Sequence, residues 1–300
     1  METRRLATFV RIVDVGSLTR AADVLHIAQP ALSQQINALE ADLGQRLLTR
    51  SKQGVEPTEA GAALYRHAQV ILKQLDDAVA EVGLLGREVA GQVFVGLAPY
   101  STANLIALPL VEAVRARYPH VLLRVTDNFG MVLSEAMMTG RLHLAILYDS
   151  GPVKGLVFER LITEELVLVC ASDAPVPGDE VPIEALVELP LMLPSPLHTI
   201  RKAINLAFDT AGIQPLVLAE LESVGLMGQA VSAGLCATVL PRSVADRLTN
   251  GSALRQIRIA PGIEVHLSLG TPSSLPLSRA AECVRDLLRH VVAATLLDAR

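Results

Sequence analysis

Aromatic side chains are scarce in this 300-residue chain: Phe, Tyr and Trp together make up 3%, and Trp is absent. Its cores must therefore be built from Leu, Val, Ile and Ala, and the stacking platform that single-stranded nucleic acid requires is missing. An RNA-loop reader is set aside on that ground. The three cysteines, Cys170, Cys236 and Cys283, lie far apart, without a CxxC pair or a histidine at zinc spacing. Neither a disulfide framework nor a metal or other cofactor is expected. Cys170 and Cys236 fall in apolar runs and read as small buried hydrophobes. No apolar run approaches the roughly 20 residues that span a bilayer. The opening Met1-Glu2-Thr3-Arg4-Arg5 lacks the apolar stretch of a secretory signal, so a soluble, cytoplasmic protein without membrane contact is expected. No GxSxG, HExxH, P-loop or GxGxxG stands at a strand–helix junction, and the seven histidines are scattered. An enzyme is therefore not indicated.

Hydrophobic residues make up 51% of the chain, enough at this length for more than one core. The net charge of −5 conceals its distribution. Residues 1–58 carry seven Lys and Arg against six Asp and Glu, a net of +1, which leaves −6 for the remainder. Within that segment Arg46, Arg50 and Lys52 cluster behind Glu40 and Asp42, which offers a local patch for phosphate contact.

Ser17 to Glu40 reads as two short helices joined by a tight turn, the arrangement of a helix-turn-helix DNA reader. Leu6, Phe9, Val10 and Val13 place a first helix over Arg4 to Val15, ended by Gly16. Ser17 caps a second helix with the stripe Leu18, Ala21, Ala22 and Leu25. Pro30 suits the first turn of a third, whose buried face is Leu32, Ile36, Leu39 and Leu43. Ser33, Gln34 and Asn37 then fall on another side. Leu47 to Pro57, with Gly54 inside, suits a two-stranded wing, and Thr58 caps the long helix after it.

From Glu59 to about Arg87, Leu64, Ala68, Ile71, Leu75, Ala78, Val82 and Leu85 recur at alternating steps of four and three, the spacing of a coiled-coil seam. A helix this apolar needs a partner outside the first 58 residues, so a dimer is expected. Residues 88–91 read as a hinge. Beyond them strands and helices alternate, from Gln92–Gly96 through Ala237–Leu240, which predicts a parallel, helix-covered sheet. A final helix over Ser278 to Leu297 buries Ala281, Val284, Leu288 and Val291.

Ser17-Leu18-Thr19-x-Ala21-Ala22, Ala28-Gln29-Pro30-Ala31-Leu32-Ser33-x-Gln35-Ile36, Leu39-Glu40-x-x-Leu43-Gly44 and Thr58-Glu59-x-Gly61 resemble the N-terminal signature of the LysR-type transcriptional regulators. Tyr118-Pro119, Leu142-x-x-Ala145-Ile146 and Ala233-Gly234-x-x-x-Thr238-Val239-Leu240-Pro241 extend the resemblance over the whole chain. Within that family, His26 to Gln35 together with Gly96-Leu97-Ala98-Pro99 is similar to the nitrogen assimilation control branch. The resemblance implies an α/β fold class with an N-terminal winged helix-turn-helix (1–58), a dimerising linker helix (59–87) and the hinge (88–91). It also implies a regulatory domain (92–300) in two lobes like those of periplasmic binding proteins. Lobe one would comprise about 92–161 and 268–300, and lobe two about 162–267. A small-molecule effector, RNA polymerase and self-association into dimers or tetramers are the partners it implies, beside double-stranded DNA.

Gln and Asn can bond adenine bidentately in the major groove and Ser can reach bases or phosphate, which makes Ser33, Gln34 and Asn37 the candidate readers. Gln29 and Pro30 would set the helix N-terminus near the DNA backbone, and Arg50 and Lys52 of the wing would contact phosphate or the minor groove. Gln35, Ser17, Thr19, Ala31 and Thr58 join the DNA-facing set through the family motif. Two recognition helices in a dimer would meet adjacent major grooves of an inverted repeat, roughly 34 Å apart or a multiple of that. Ligands of α/β sheets settle where strands end and helices begin, so Tyr100, Ser101, Thr102, His198, Thr199 and Ser223 are the candidate effector contacts, with free N–H groups that suit a small anion. Tyr100 departs from the small hydroxyl residue of many family members, and His143 from an Asp. A bulky ring at position 100 could fill the cleft, and the branch is not associated with an obligatory small effector.

Overall fold

The structure, a computed structural model, describes residues 2–51, 54–83, 88–149 and 151–298. It divides into two compact units, residues 1–87 with 139–141, and residues 88–138 with 142–300.

In the first unit, helix α1 (Thr3–Val15) stops at Gly16, whose left-handed φ of 66° suits a residue without Cβ. Ser17 caps α2 (Leu18–Leu25) by accepting the N–H of Arg20, and α3 (Gln29–Leu43) carries Pro30 in its first turn. Phe9 and Ile12 of α1, Ala21 and Ala22 of α2, and Leu32, Ile36 and Leu39 of α3 close one core. Leu43 does not join it. Although four residues from Leu39, it is the last residue of α3, a turn past that core, and 41% of it is exposed.

Strands β1 (Leu48–Ser51) and β2 (Gly54–Pro57) form the antiparallel wing, with Leu48 opposite Pro57. Helix α4 (Glu59–Gly83) comes next. Gly61 in its first turn is a steric requirement, because a Cβ there would lie 1.9 Å from the carbonyl oxygen of Leu47. That same carbonyl accepts the N–H of Thr58 at 2.9 Å, so the backbone has no room to move away.

The second unit runs β3 (Ala90–Leu97), α5 (Ala103–Arg117), β4 (His120–Asp127), α6 (Gly130–Met138), β5 (Leu144–Tyr148) and β6 (Leu156–Ala171). It continues through β7 (Glu180–Pro182), β8 (Leu191–Leu193), α7 (Thr199–Ala211), β9 (Val217–Glu220), α8 (Val224–Ser232) and β10 (Thr238–Pro241). Helix α9 (Arg242–Thr249), β11 (Leu254–Pro272) and α10 (Arg279–Asp298) complete it. The main sheet has the order β10-β6-β11-β5-β3-β4.

The expected all-parallel sheet is corrected. Strand β3 is parallel to β4 and β5, but β11 is antiparallel to β5 and β6, and β10 is antiparallel to β6. The cause is the length of β6, 16 residues, and β11, 19 residues, which pair with each other over most of their span. The ladder shifts register between Arg258 and Ile263 and again between Leu267 and Ser268. The apolar pattern reveals only Leu166 to Cys170 of β6, because polar Arg160, Thr163, Glu164 and Glu165 interrupt it at the crossing. Part of the expected hinge is likewise strand: Ala90 and Gly91 already pair with His120 and Val121. Helix α10 buries Ala281, Val284, Leu288 and Val291 on one face, as its spacing predicts.

Substituting Gly61 by Ala should lower the stability of the first unit by roughly 1–3 kcal/mol, the cost of forcing an added methyl into a packed site. A lower urea midpoint followed by circular dichroism measures it. Gly83→Ala, where nothing lies within 4 Å of the added Cβ, should show no such loss.

Candidate DNA-reading and effector sites

Helix α3 presents Gln34 and Asn37 to solvent, with Ser33 half-buried beside them. The side-chain amide of Gln29 donates to the Ser33 hydroxyl at 3.4 Å. Gln29, Pro30 and Ala31 are exposed at the helix start, where no side chain caps the first N–H groups, and Thr19 is exposed on α2. Ser17 is half-buried and its hydroxyl is committed to the α2 cap.

Gln35 points the other way. Its Oε1 accepts the hydroxyl proton of Thr8 at 2.8 Å, so this amide braces α3 against α1, and the expectation of a DNA contact there is corrected. Residue 35 directly precedes the buried Ile36, which turns its side chain toward the helix packed alongside.

Glu40, read from the sequence only as an acid behind the helix pair, has a structural task. Its carboxylate accepts the N–H groups of Leu47 and Leu48 at 2.7 and 3.2 Å, which ties the end of α3 to the wing. Between them lies a polar groove of roughly 420 Å³ lined by Asn37, Arg46, Thr49 and Arg50 among others. Arg46 and Thr49 become candidate backbone contacts by lying there. Thr58 also borders the groove, but its hydroxyl donates to the Arg46 carbonyl at 2.7 Å and accepts the Gly61 N–H at 3.0 Å. It is a cap rather than a free donor. Lys52 lies outside the described residues.

The seam of α4 divides in two. Ala68 is fully buried and Leu64 is half-buried in the first unit's own core, with Leu72 beside them. Tyr65 on the same turn donates to Asp14 of α1 at 2.5 Å, and burial together with that bond pushes its pKa up to about 12. Leu64 and Ala68 thus serve intramolecular packing, contrary to their assignment to a dimer seam, because α1 already covers them. Further along, Ile71 is 40% exposed, Leu75 43%, Val79 66% and Val82 68%, with Ala78 exposed between them. Leu85 lies outside the described residues.

In the second unit, most of the residues expected to contact an effector are bonded to other groups of the protein. The Tyr100 hydroxyl donates to the Leu221 carbonyl at 2.7 Å, and the ring is 1% exposed. Ser101 donates to the Ala98 carbonyl at 2.6 Å. Thr102 donates to Glu164 at 2.5 Å, as does Ser243, and Tyr148 holds the other oxygen of the same carboxylate. Ser223 caps α8 by accepting the Leu226 N–H. His198 is buried, with its Nε2 at 2.7 Å from Glu222, and Thr199 beside it is half-buried.

Tyr100 and His198 do come together, with ring centroids 4.9 Å apart, edge to face. Burial, then the Glu222 charge, raises the Tyr100 pKa far above the usual phenol range. The expectation that an anion could settle on these groups meets two carboxylates, Glu164 and Glu222, and hydroxyls already bonded. The Tyr100 backbone adopts a left-handed φ of 56°, a cost of roughly 1–2 kcal/mol for a side chain of this kind. His143, the other departure noted in the sequence, is buried and accepts the Phe94 N–H on Nδ1 at 2.9 Å. No helix among the described residues is long and apolar enough to cross a membrane.

Two family models match the chain: the bacterial regulatory helix-turn-helix protein of the lysR family over residues 3–62, and the LysR substrate binding domain over residues 86–293. The chain is 40% identical over 301 residues to the nitrogen assimilation regulatory protein nac of Escherichia coli (strain K12), an alignment covering 100% of this chain and 98% of that one. Among solved structures, a full-length OxyR variant from Pseudomonas aeruginosa superimposes with a TM-score of 0.75 at 22% identity, covering 97% of this chain and 94% of that one. Full-length CbnR complexed with its target DNA gives 0.69 at 24% identity, covering 98% and 100%. These two establish the shared fold of a helix-turn-helix followed by a two-lobed α/β domain. With family models over both units and a relative at 40% identity along its whole length, the chain belongs to the LysR family of transcriptional regulators.

Proposed function

We propose that this regulator binds an inverted-repeat promoter site as a dimer, or as a pair of dimers, and controls genes of nitrogen metabolism in company with RNA polymerase. The observation that carries the DNA reading is the solvent face of α3. Gln34 and Asn37 stand exposed there, while Leu32, Ile36 and Leu39 are turned inward. Glu40 holds the wing beside that face, so base-reading amides and backbone-contacting Arg46 and Arg50 form one continuous surface. The solved complex of CbnR with its target DNA supports the same use of this fold. The nitrogen regulon is supported by the name of the 40% identical Escherichia coli relative.

The dimer rests on the C-terminal half of α4. Ile71, Leu75, Ala78, Val79 and Val82 form an apolar stripe that the first unit leaves bare. Such a stripe at steps of three and four is buried by a second helix of the same kind.

Replacing Gln34 by Ala should cost about 1–3 kcal/mol on the cognate site and little on scrambled DNA, since a base contact is what is lost. Equal losses on both sequences would remove Gln34 from the reading role. Arg50→Ala should weaken all sequences alike and flatten the salt dependence by about one unit of slope. The double substitution Leu75→Asp with Val82→Asp should convert the protein to a folded monomer by sedimentation and reduce protection from the full inverted repeat to a half-site. A dimer that survives it would place the interface elsewhere.

A further inference from the structure

Strands β6 and β11 carry the chain between the two lobes, and side chains join the lobes as well. Tyr100 and Phe129 belong to the first lobe; His198, Leu221 and Glu222 belong to the second. The imidazole of His198 sits between two rings, with its centroid 4.9 Å from Tyr100 and 4.8 Å from Phe129, edge to face in both cases. The Tyr100 hydroxyl reaches across to the Leu221 carbonyl. His198 is held in place from its own lobe by Glu222. A side chain at a left-handed φ persists only where its surroundings over-determine it, and here the contacts that do so are those that capture this one ring.

We propose that Tyr100 is a built-in ligand of the interlobe cleft. Its phenol, supplied by the first lobe, sits against the His198 ring and the Leu221 carbonyl of the second, and this holds the lobes together without a diffusible molecule. The chemistry of that place defines what can replace it: a neutral aromatic ring with one hydroxyl donor aimed at a carbonyl. A carboxylate or phosphate in the place of the phenol would face the Leu221 carbonyl and lie near the Glu222 carboxylate, both of which repel it. Beside the plug, the Glu164 carboxylate takes hydroxyls from Thr102 and Tyr148 of the first lobe and Ser243 of the second, a further tie across the same junction.

The inference rests on the regulator reading only for its consequence in transcription. The tie itself is tested on the full chain without DNA, so the two readings fail separately. Tyr100→Gly removes the ring and suits the left-handed backbone. Hydrogen exchange in 98–103, 195–200 and 221–226 should rise at least tenfold over wild type. Adding 4-methylphenol should return it to the wild-type rate, since an apolar cavity of ring size takes up an aromatic molecule. The 4-methylbenzoate anion should not, and neither compound should alter wild type. Exchange unchanged by Tyr100→Gly, a rise that 4-methylphenol does not reverse, or equal rescue by the benzoate would each overturn the proposal. Should Tyr100→Gly fail to fold, Tyr100→Phe keeps the ring and loses only the bond to Leu221. Faster exchange confined to 221–226 then supports the tie, and a wild-type profile there refutes it.

Discussion

The antiparallel pairing of β6 with β11 is the constraint on which the second unit depends. Both strands begin in one lobe and end in the other, so a single ladder from Leu156 opposite Pro272 to Ala171 opposite Leu254 makes the lobes parts of one sheet. Everything that meets at the junction is then positioned by strand register. Glu164 pairs with Val265 and Thr163 with His266 at the crossing, which sets the Glu164 carboxylate under the start of α5 and the start of α9 together. A buried carboxylate is tolerable only with its acceptors satisfied, and three hydroxyls from three different elements satisfy it. The packing of the two lobes and the polar network between them therefore depend on each other.

The first unit solves a different problem, that of presenting a polar helix face without letting the helix move. Ile36 and Leu39 anchor α3 in the core, Gln35 ties its flank to α1, and Glu40 ties its end to the wing. Adjacent residues on one helix thus divide between holding and reading. Gln34 and Gln35 have the same side chain and opposite tasks, decided by a rotation of about 100° per residue around the helix axis. The affinity of such a surface depends on that rigidity as much as on the groups displayed, because a loosely held reader loses ordering entropy when it binds.

Much of this was legible in the sequence, and the rest was hidden for physical reasons. The caps at Gly16, Ser17 and Thr58, most of the core stripes of α1 to α3 (Ile12 and Leu43 excepted) and the buried face of α10 follow from spacing and local backbone chemistry, which neighbours in sequence decide. The length of β6 and the whole of β11 escaped because strands that cross between lobes are polar in mid-span, and alternation counts only the apolar parts. The coiled-coil spacing of α4 was real but served two surfaces. Leu64 and Ala68 look inward to α1 and Ile71 onward looks out, and periodicity cannot say what covers a stripe. The hydroxyls at Tyr100, Ser101 and Thr102 sit at a strand-to-helix junction as expected. Whether such hydroxyls await a ligand or bond to their own protein depends on residues more than 60 positions away, such as Glu164 and Leu221.

Tyr100 shows how one substitution can change the logic of a fold while leaving its architecture intact. A small hydroxyl residue there would not reach across the junction between the lobes. A phenol reaches about 4 Å farther from the backbone by ordinary bond lengths, enough to cross that junction and find an acceptor on the other side. Its burial contributes on the order of a few kcal/mol, which exceeds the left-handed backbone cost it imposes. In this chain position 100 itself makes a contact across the junction, the bond to the Leu221 carbonyl, and the arrangement of the lobes is tied to that one side chain.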